Sequence, residues 1–212
     1  MANFKTHLMG GVASYGVSTY IFWNQGNQET IAYIAMASIV GSLFPDVDSD
    51  TSKTIRYFFY SLTGLTLLLT SNYFYLNGVN IKKSIIILFV IPFLIMFLIK
   101  PLFMKLTVHR GIFHTIPMGL TISLLTMYIP FTTYKFIIFV SFMLGFLTHL
   151  LLDEIYATIN ISGLRIKPKK SFGTAMKWFA PYIPANIVLN SLLAVLIFDN
   201  SDLLYSGFQN IF

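Results

Sequence analysis

Hydrophobic positions along the chain gather into seven runs separated by short polar clusters. The runs cover about Leu8 to Trp23, Thr30 to Phe44, Tyr57 to Leu76, Ser84 to Ile99, Phe113 to Phe131, Phe136 to Leu152 and Ala185 to Phe198. Uninterrupted apolar stretches of this kind read as membrane-spanning helices, although several fall short of the roughly 20 residues that a perpendicular span prefers. Pro92 interrupts the fourth. The pattern predicts an all-α fold, a polytopic membrane bundle of about seven hydrophobic helices in one membrane-embedded domain over residues 1–212. No internal repeat or Gly/Ser linker divides it.

Composition agrees with that reading. The chain is 56% hydrophobic and 10% charged with mean hydropathy +0.72, against roughly 25% charged residues in a soluble domain. Lys5 before an apolar run raises the prospect of a cleaved signal peptide, but no small-residue cleavage site of the A-x-A kind follows at the right distance. There is no cysteine, so disulfides and thiolate chemistry are excluded and any metal must be held by nitrogen and oxygen. The net charge of +6 does not require a nucleic-acid partner, because basic residues flanking spans are explained by membrane orientation and headgroup contact.

Threading seven spans alternately across a bilayer places the N-terminus and residues 45–56, 100–112 and 153–184 on one side. Eleven of the fourteen basic residues fall there, and only Lys82, Lys83 and Lys135 fall opposite. The positive-inside rule makes the first side cytoplasmic. The same side collects all four histidines and five of the eight acids, Asp46, Asp48, Asp50, Asp153 and Glu154. That convergence is independent evidence, since the orientation used only lysine and arginine.

His149 and Asp153 are four apart, so on a helix they share a face and can reach one ion; zinc, manganese or iron would suit that donor pair. Asp46 and Asp48 follow Pro45 in "PDVD". If that segment is extended, both carboxylates point the same way and a cation between them relieves their repulsion; alternatively it is a solvated loop, with Asp50 or Ser49 capping the next helix. In "HRGIFH" the histidines His109 and His114 would lie about 140° apart on a straight helix, so chelation needs a turn at Gly111. Arg110 between them suits an anionic group, or serves as a positive-inside anchor. His7 gains weight only from the company of the others. Ionisable groups at membrane depth are costly and by default functional, so His7, Asp46, Asp48, His109, His114, His149 and Asp153 form a candidate metal site. The basic stretch Arg165 to Trp178 reads as headgroup contact, or as a contact to a phosphorylated substrate.

These motifs resemble the YdjM-type family, inner-membrane-associated proteins regarded as metal-dependent hydrolases. The residues carrying the resemblance are the early histidine of "KTHLMGG", "PDVD" after the second run, H-R-G-x-x-H before the fifth and H-x-x-x-D after it, over residues 1 to about 155. The family's version of the third motif reads H-R-G-x-T-H-S; here Phe113 replaces the threonine and Thr115 the serine. The resemblance implies a divalent-metal site at the seven residues named above and hydrolytic chemistry. The pattern is also similar, more weakly, to the zinc-dependent phospholipase C and single-strand nuclease superfamily.

The expectation is therefore an inner-membrane hydrolase with a cytoplasm-facing site of one to three divalent ions, zinc first and manganese second, acting on a phosphoester of a lipid or lipid-linked substrate. Metal-activated water would attack, Asp48 or Asp153 would serve as general base, and Arg110 would stabilise developing charge. The rival is a divalent-cation transporter or channel using the same cluster, which predicts ligands nearer the bilayer midplane. Membrane lipid is the expected partner, nucleic acid is disfavoured, and the oligomeric state is left open.

Overall fold

The structure is a computed structural model that describes residues 2–48, 53–106, 111–129, 132–158, 176–209 and 211. The described residues are helical, with no strand among them. In chain order the helices are α1 Phe4–Ile21, α2 Gln28–Leu43, α3 Lys53–Leu76, α4 Ile81–Leu94, α5 Lys100–Leu106, α6 Ile116–Leu125, α7 Lys135–Thr158, α8 Ile183–Asp199 and α9 Ser201–Gln209. Residues 1–45 and 110–212 form one compact unit and residues 46–109 a second.

The centre of the first unit is the trio α1, α2 and α7. Contacts pair Ser38 with Gly145 and Ser42 with His149, so α2 and α7 run parallel. Gly11 meets Ser42 while Phe22 clusters with Ile34, so α1 runs antiparallel to them. Lipid offers no hydrophobic force between helices, and small residues permit close backbone approach instead. An added Cβ at Gly41 would stand 2.2 Å from the Phe142 carbonyl oxygen, and one at Gly145 would stand 2.2 Å from that of Ser38. Ala37, Ile138, Phe142, Phe146 and Leu150 fill the space beside this seam. Against α7 lies α6, with Gly119 facing the ring of Phe146, and α8 closes this side through Leu193 and Leu196 against Leu124 and Met127. A 63° bend separates α8 from α9 at Asn200, whose amide donates to the Leu196 carbonyl and the Tyr128 hydroxyl.

In the second unit α3 and α4 are joined by a turn through Gly78, at φ +59°, a conformation that favours glycine. Ile55, Phe59 and Ile95 form its core. The helix is not broken at Pro92. It continues through the proline and then widens into a π-helical turn over Ile95–Ile99. Along Ile81–Lys105 only 6% of the most apolar window is buried, so this helix presents nearly all of itself outward.

The expectation of about seven spans needs correction. Among the described residues three helices are long and apolar enough to cross a membrane, Gln28–Asp48, Ile81–Lys105 and Lys135–Ala157, and the bent pair α8 and α9 makes a fourth if it counts as one span. The run at Leu8 to Trp23 is helical, but α1 spends Gly10, Gly11, Ser14 and Ser18 on packing, which lowers its apolarity. The third run is diluted by its serines, threonines and Asn72, and the fifth yields only the short apolar stretch Ile116–Tyr128.

Candidate metal centre

At one end of the trio, the second turn of α1 and the last turns of α7 bring buried donors together. Asn3 caps α1, its side chain accepting from the Thr6 amide, which fixes the helix start and places His7 one turn inside. His149 and Asp153 project from one face of α7, as their spacing predicts. His7, His149 and Asp153 are all fully buried, each offers one ligand atom, and those atoms lie within 4.8 Å of one another. The His7 and His149 rings stack at 3.7 Å with 11° between their planes, and His7 Nε2 stands 3.5 Å from Asp153 Oδ1.

Two backbone groups orient these side chains. His149 Nδ1 is 2.7 Å from the Ser42 carbonyl oxygen. A carbonyl only accepts, so Nδ1 carries the proton and Nε2 presents its lone pair toward the cluster. Asp153 Oδ1 accepts from the Ala2 amide at 3.0 Å. Neither partner left a signal in the sequence, because backbone atoms act whatever their side chains are.

His114 is also fully buried, its ring centroid 5.4 Å from that of His149. It ends a short 3-10 turn, Ile112–His114, that Thr115 terminates by capping α6: the Thr115 hydroxyl donates to the Ile112 carbonyl at 2.7 Å and accepts from the Met118 amide at 3.3 Å. A serine hydroxyl could make the same cap. Phe113 packs on Phe44 with ring centroids 6.1 Å apart, an apolar role that no threonine shares. Gly111 has φ −76°, so the turn is built by the 3-10 segment and not by a left-handed glycine.

The remaining predicted residues divide into two cases. Asp46 and Asp48 are buried, at 9% and 1% exposure, and belong to the second unit. Their segment, Phe44–Asp48, is a 3-10 turn, so the extended geometry expected to aim both carboxylates one way does not occur, and neither does the solvated loop. His109 and Arg110 lie outside the described residues, as do Asp50 and most of the basic stretch from Arg165.

The donor set fits a metal. Two ligands bound at 2.0–2.1 Å in a tetrahedron stand about 3.4 Å apart, close to the His7–Asp153 separation of 3.5 Å. Burying two imidazoles and a carboxylate side by side is expensive in a low-dielectric interior, and a divalent cation offsets that cost. Two histidines and one carboxylate also match zinc sites that keep one position open for water. Buried His/Asp groups here could therefore hold a metal ion.

Comparison with known families decides the broader assignment: the family model described as YdjM inner membrane protein matches residues 1–199. The chain belongs to the YdjM inner membrane protein family. Membership agrees with the apolar helices in making this a membrane protein. No curated protein and no solved structure matches the chain, so the weaker similarity to the phospholipase C and nuclease superfamily gains no support.

Proposed function

We propose that this YdjM-family protein is a membrane-bound, metal-dependent hydrolase acting on a phosphoester of a lipid or lipid-linked substrate. The observation that carries the reading is the convergence of His7, His149 and Asp153, fully buried and with donor atoms within 4.8 Å of one another, at one end of the helix trio. Zinc is the expected ion, with manganese second, and the family motifs imply Asp46, Asp48, His109 and His114 as further ligands for up to three ions. A bound divalent ion would supply the acidity that makes hydroxide from water near neutral pH. The chain's own residues do the rest. Ser42 holds His149 in the tautomer a ligand needs, an aspartate not fully engaged, Asp48 or Asp153, takes the proton from the attacking water, and Arg110 binds the phosphate oxygens as charge develops. Water attacks phosphorus, the phosphoester P–O bond breaks, and the leaving oxygen takes a proton.

A lipid is favoured because the donors sit at the end of apolar helices, where a headgroup can enter while its acyl chains stay in the bilayer. A cytoplasmic orientation is supported by charge, since Lys5 and Lys177 lie at the site end of the first unit and Lys135 at the far end.

One observation favours the rival transporter. Buried Ser14, Ser18, Ser38, Ser42 and Ser141 continue down the trio from the donors, as a polar translocation path would. The tests separate the two. Purified protein should contain stoichiometric divalent metal that His149→Ala and Asp153→Ala each reduce; metal-free wild type would sink both readings. A panel of phospholipids and lipid pyrophosphates, with and without chelator, should show chelator-sensitive turnover. Metal flux in proteoliposomes without turnover of any lipid would instead establish the transporter.

A further inference from the structure

The polar row that begins at the donors continues past them. On α1 the buried positions His7, Gly11, Ser14 and Ser18 recur at helical spacing along one face. On α7 the buried positions Asp153, His149, Gly145 and Ser141 follow one another at intervals of four, and α2 adds Ser42 and Ser38. Ser14 and Ser42 are satisfied within their own helices, their hydroxyls donating to the Gly11 and Ile39 carbonyls, each at 2.9 Å. Ser18, Ser38 and Ser141 behave differently. All three are fully buried, and their Oγ atoms have no hydrogen-bond partner among the described residues. A helical serine ordinarily has a carbonyl of the preceding turn within reach. A buried hydroxyl that leaves it unused forgoes that bond and carries the desolvation cost of an unpaired polar group.

The three hydroxyls come from three different helices at one level of the trio. Ser38 meets Gly145 through its carbonyl, and Ser141 lies one turn farther from the donors than Gly145. Ser18 lies one turn nearer the donors than Phe22, which clusters with Ile34, one turn before Ser38 on α2. The level is closed on both sides. Toward the donors, Gly11 abuts Ile39 and Ser42, and Gly41 abuts Phe142, too closely to admit a methyl group. Away from the donors, Phe22, Ile34 and Ile137 form a buried apolar cluster. We infer that Ser18, Ser38 and Ser141 form a closed water site, in which one buried water bridges α1, α2 and α7 through the three hydroxyls. The ligand follows from the donor chemistry. Three neutral hydroxyls provide no charge to hold an ion, each can donate to water or accept from it, and about three hydrogen bonds is what a buried water makes. Such a water ties together the helices that carry His7, the Ser42 carbonyl and the pair His149 and Asp153. It also makes the serine row a sealed layer and not a passage between the two faces.

The test needs neither metal nor turnover, so its outcome is independent of the hydrolase reading. Ser18→Ala, Ser38→Ala and Ser141→Ala should each lower Tm by about 2–4 °C, the loss of one net hydrogen bond in a chain of this size. Ser14→Ala is the control, because that hydroxyl bonds back to its own helix, and it should leave Tm nearly unchanged. With two of the three hydroxyls gone the water has too few partners to stay, so the triple variant should melt no lower than the double. A rise in Tm on each single substitution, the result for hydroxyls that are simply unpaired, overturns the proposal. So does a crystal structure at a resolution that shows ordered water in which the three hydroxyls bond one another directly. Sealing is read separately. The chain has no cysteine, so Ser38→Cys places a single thiol of similar size in the layer. In proteoliposomes it should resist a membrane-impermeant methanethiosulfonate reagent added to either face. Labelling from either face overturns the closed site, and labelling from both favours the transporter.

Discussion

Gly145→Ala links helix packing to the chemistry of the donor cluster. The new methyl would stand 2.2 Å from the Ser38 carbonyl oxygen, 2.9 Å from the Ser42 amide nitrogen and 3.0 Å from the Ser38 carbonyl carbon. All three are backbone atoms, so no side chain can turn aside. Non-bonded heavy atoms rest near 3.5 Å, so α2 and α7 must separate by about 1 Å. Overpacking of this kind costs about 1–3 kcal/mol. Gly16 on α1 is the control, because an added Cβ there meets nothing within 4 Å, and Gly→Ala in an open helical site stabilises by about 0.4–1 kcal/mol. The same substitution should thus change sign between two helices of one unit. In a chain of this size, 1 kcal/mol moves Tm by about 2–4 °C, so circular dichroism in detergent should show Gly145→Ala lowering Tm by several degrees and Gly16→Ala holding or raising it. The separation also carries Ser42 away from His149, stretching their 2.7 Å hydrogen bond past useful length. Loss of such an orienting partner costs about 10–100-fold in metal affinity. If Gly145→Ala melts like Gly16→Ala and retains wild-type metal affinity, the close seam does not position the donors and the reasoning fails.

Other perturbations probe separate links. Thr115→Ser should leave Tm within a degree or two, whereas Thr115→Val removes the α6 cap and should cost about 1 kcal/mol by thermal unfolding. Asn186→Ala removes both bonds to Ala180; at about 1 kcal/mol for each net hydrogen bond it should lower stability by about 2 kcal/mol, and limited proteolysis should cut near residues 178–182 faster than in wild type. Chelator should lower the Tm of metal-loaded protein by the linkage amount, about 2.7 kcal/mol of stabilisation at a hundredfold excess of ion over Kd. His149→Ala should erase that shift, and a chelator effect of unchanged size in the variant would count against His149 as a ligand.

The legible part of this molecule was what side chains write into spacing. Four residues between His149 and Asp153 put both on one face of α7, and the cluster of polar motifs at the ends of apolar runs predicted the meeting of His7 with them. Span counting was less successful, because hydropathy records composition and not position. The glycines and serines that make α1 look weakly apolar are the residues that let it approach α2 and α7. The "PDVD" segment misled for a related reason. Period-two alternation applies to extended backbone, and Phe44–Asp48 continues the helical path of α2 as a 3-10 turn. What no pattern could reveal were the backbone partners: the Ser42 carbonyl on His149, the Ala2 amide on Asp153 and the Lys177 carbonyl on Ile116.

Those partners suggest why the donors are placed on this trio. A ligand histidine is useful when its ring is held in one tautomer and one orientation before an ion arrives, and a side-chain partner on a flexible stem does this poorly. A carbonyl at the end of α2 does it well, provided α2 cannot slide against α7. Gly41 against Phe142 and Gly145 against Ser38 hold these two parallel helices in backbone contact one to two turns below His149. The small residues that weaken the membrane-span signal are therefore the same residues that fix the distance between His149 and its orienting carbonyl, so packing and site geometry are encoded by one seam.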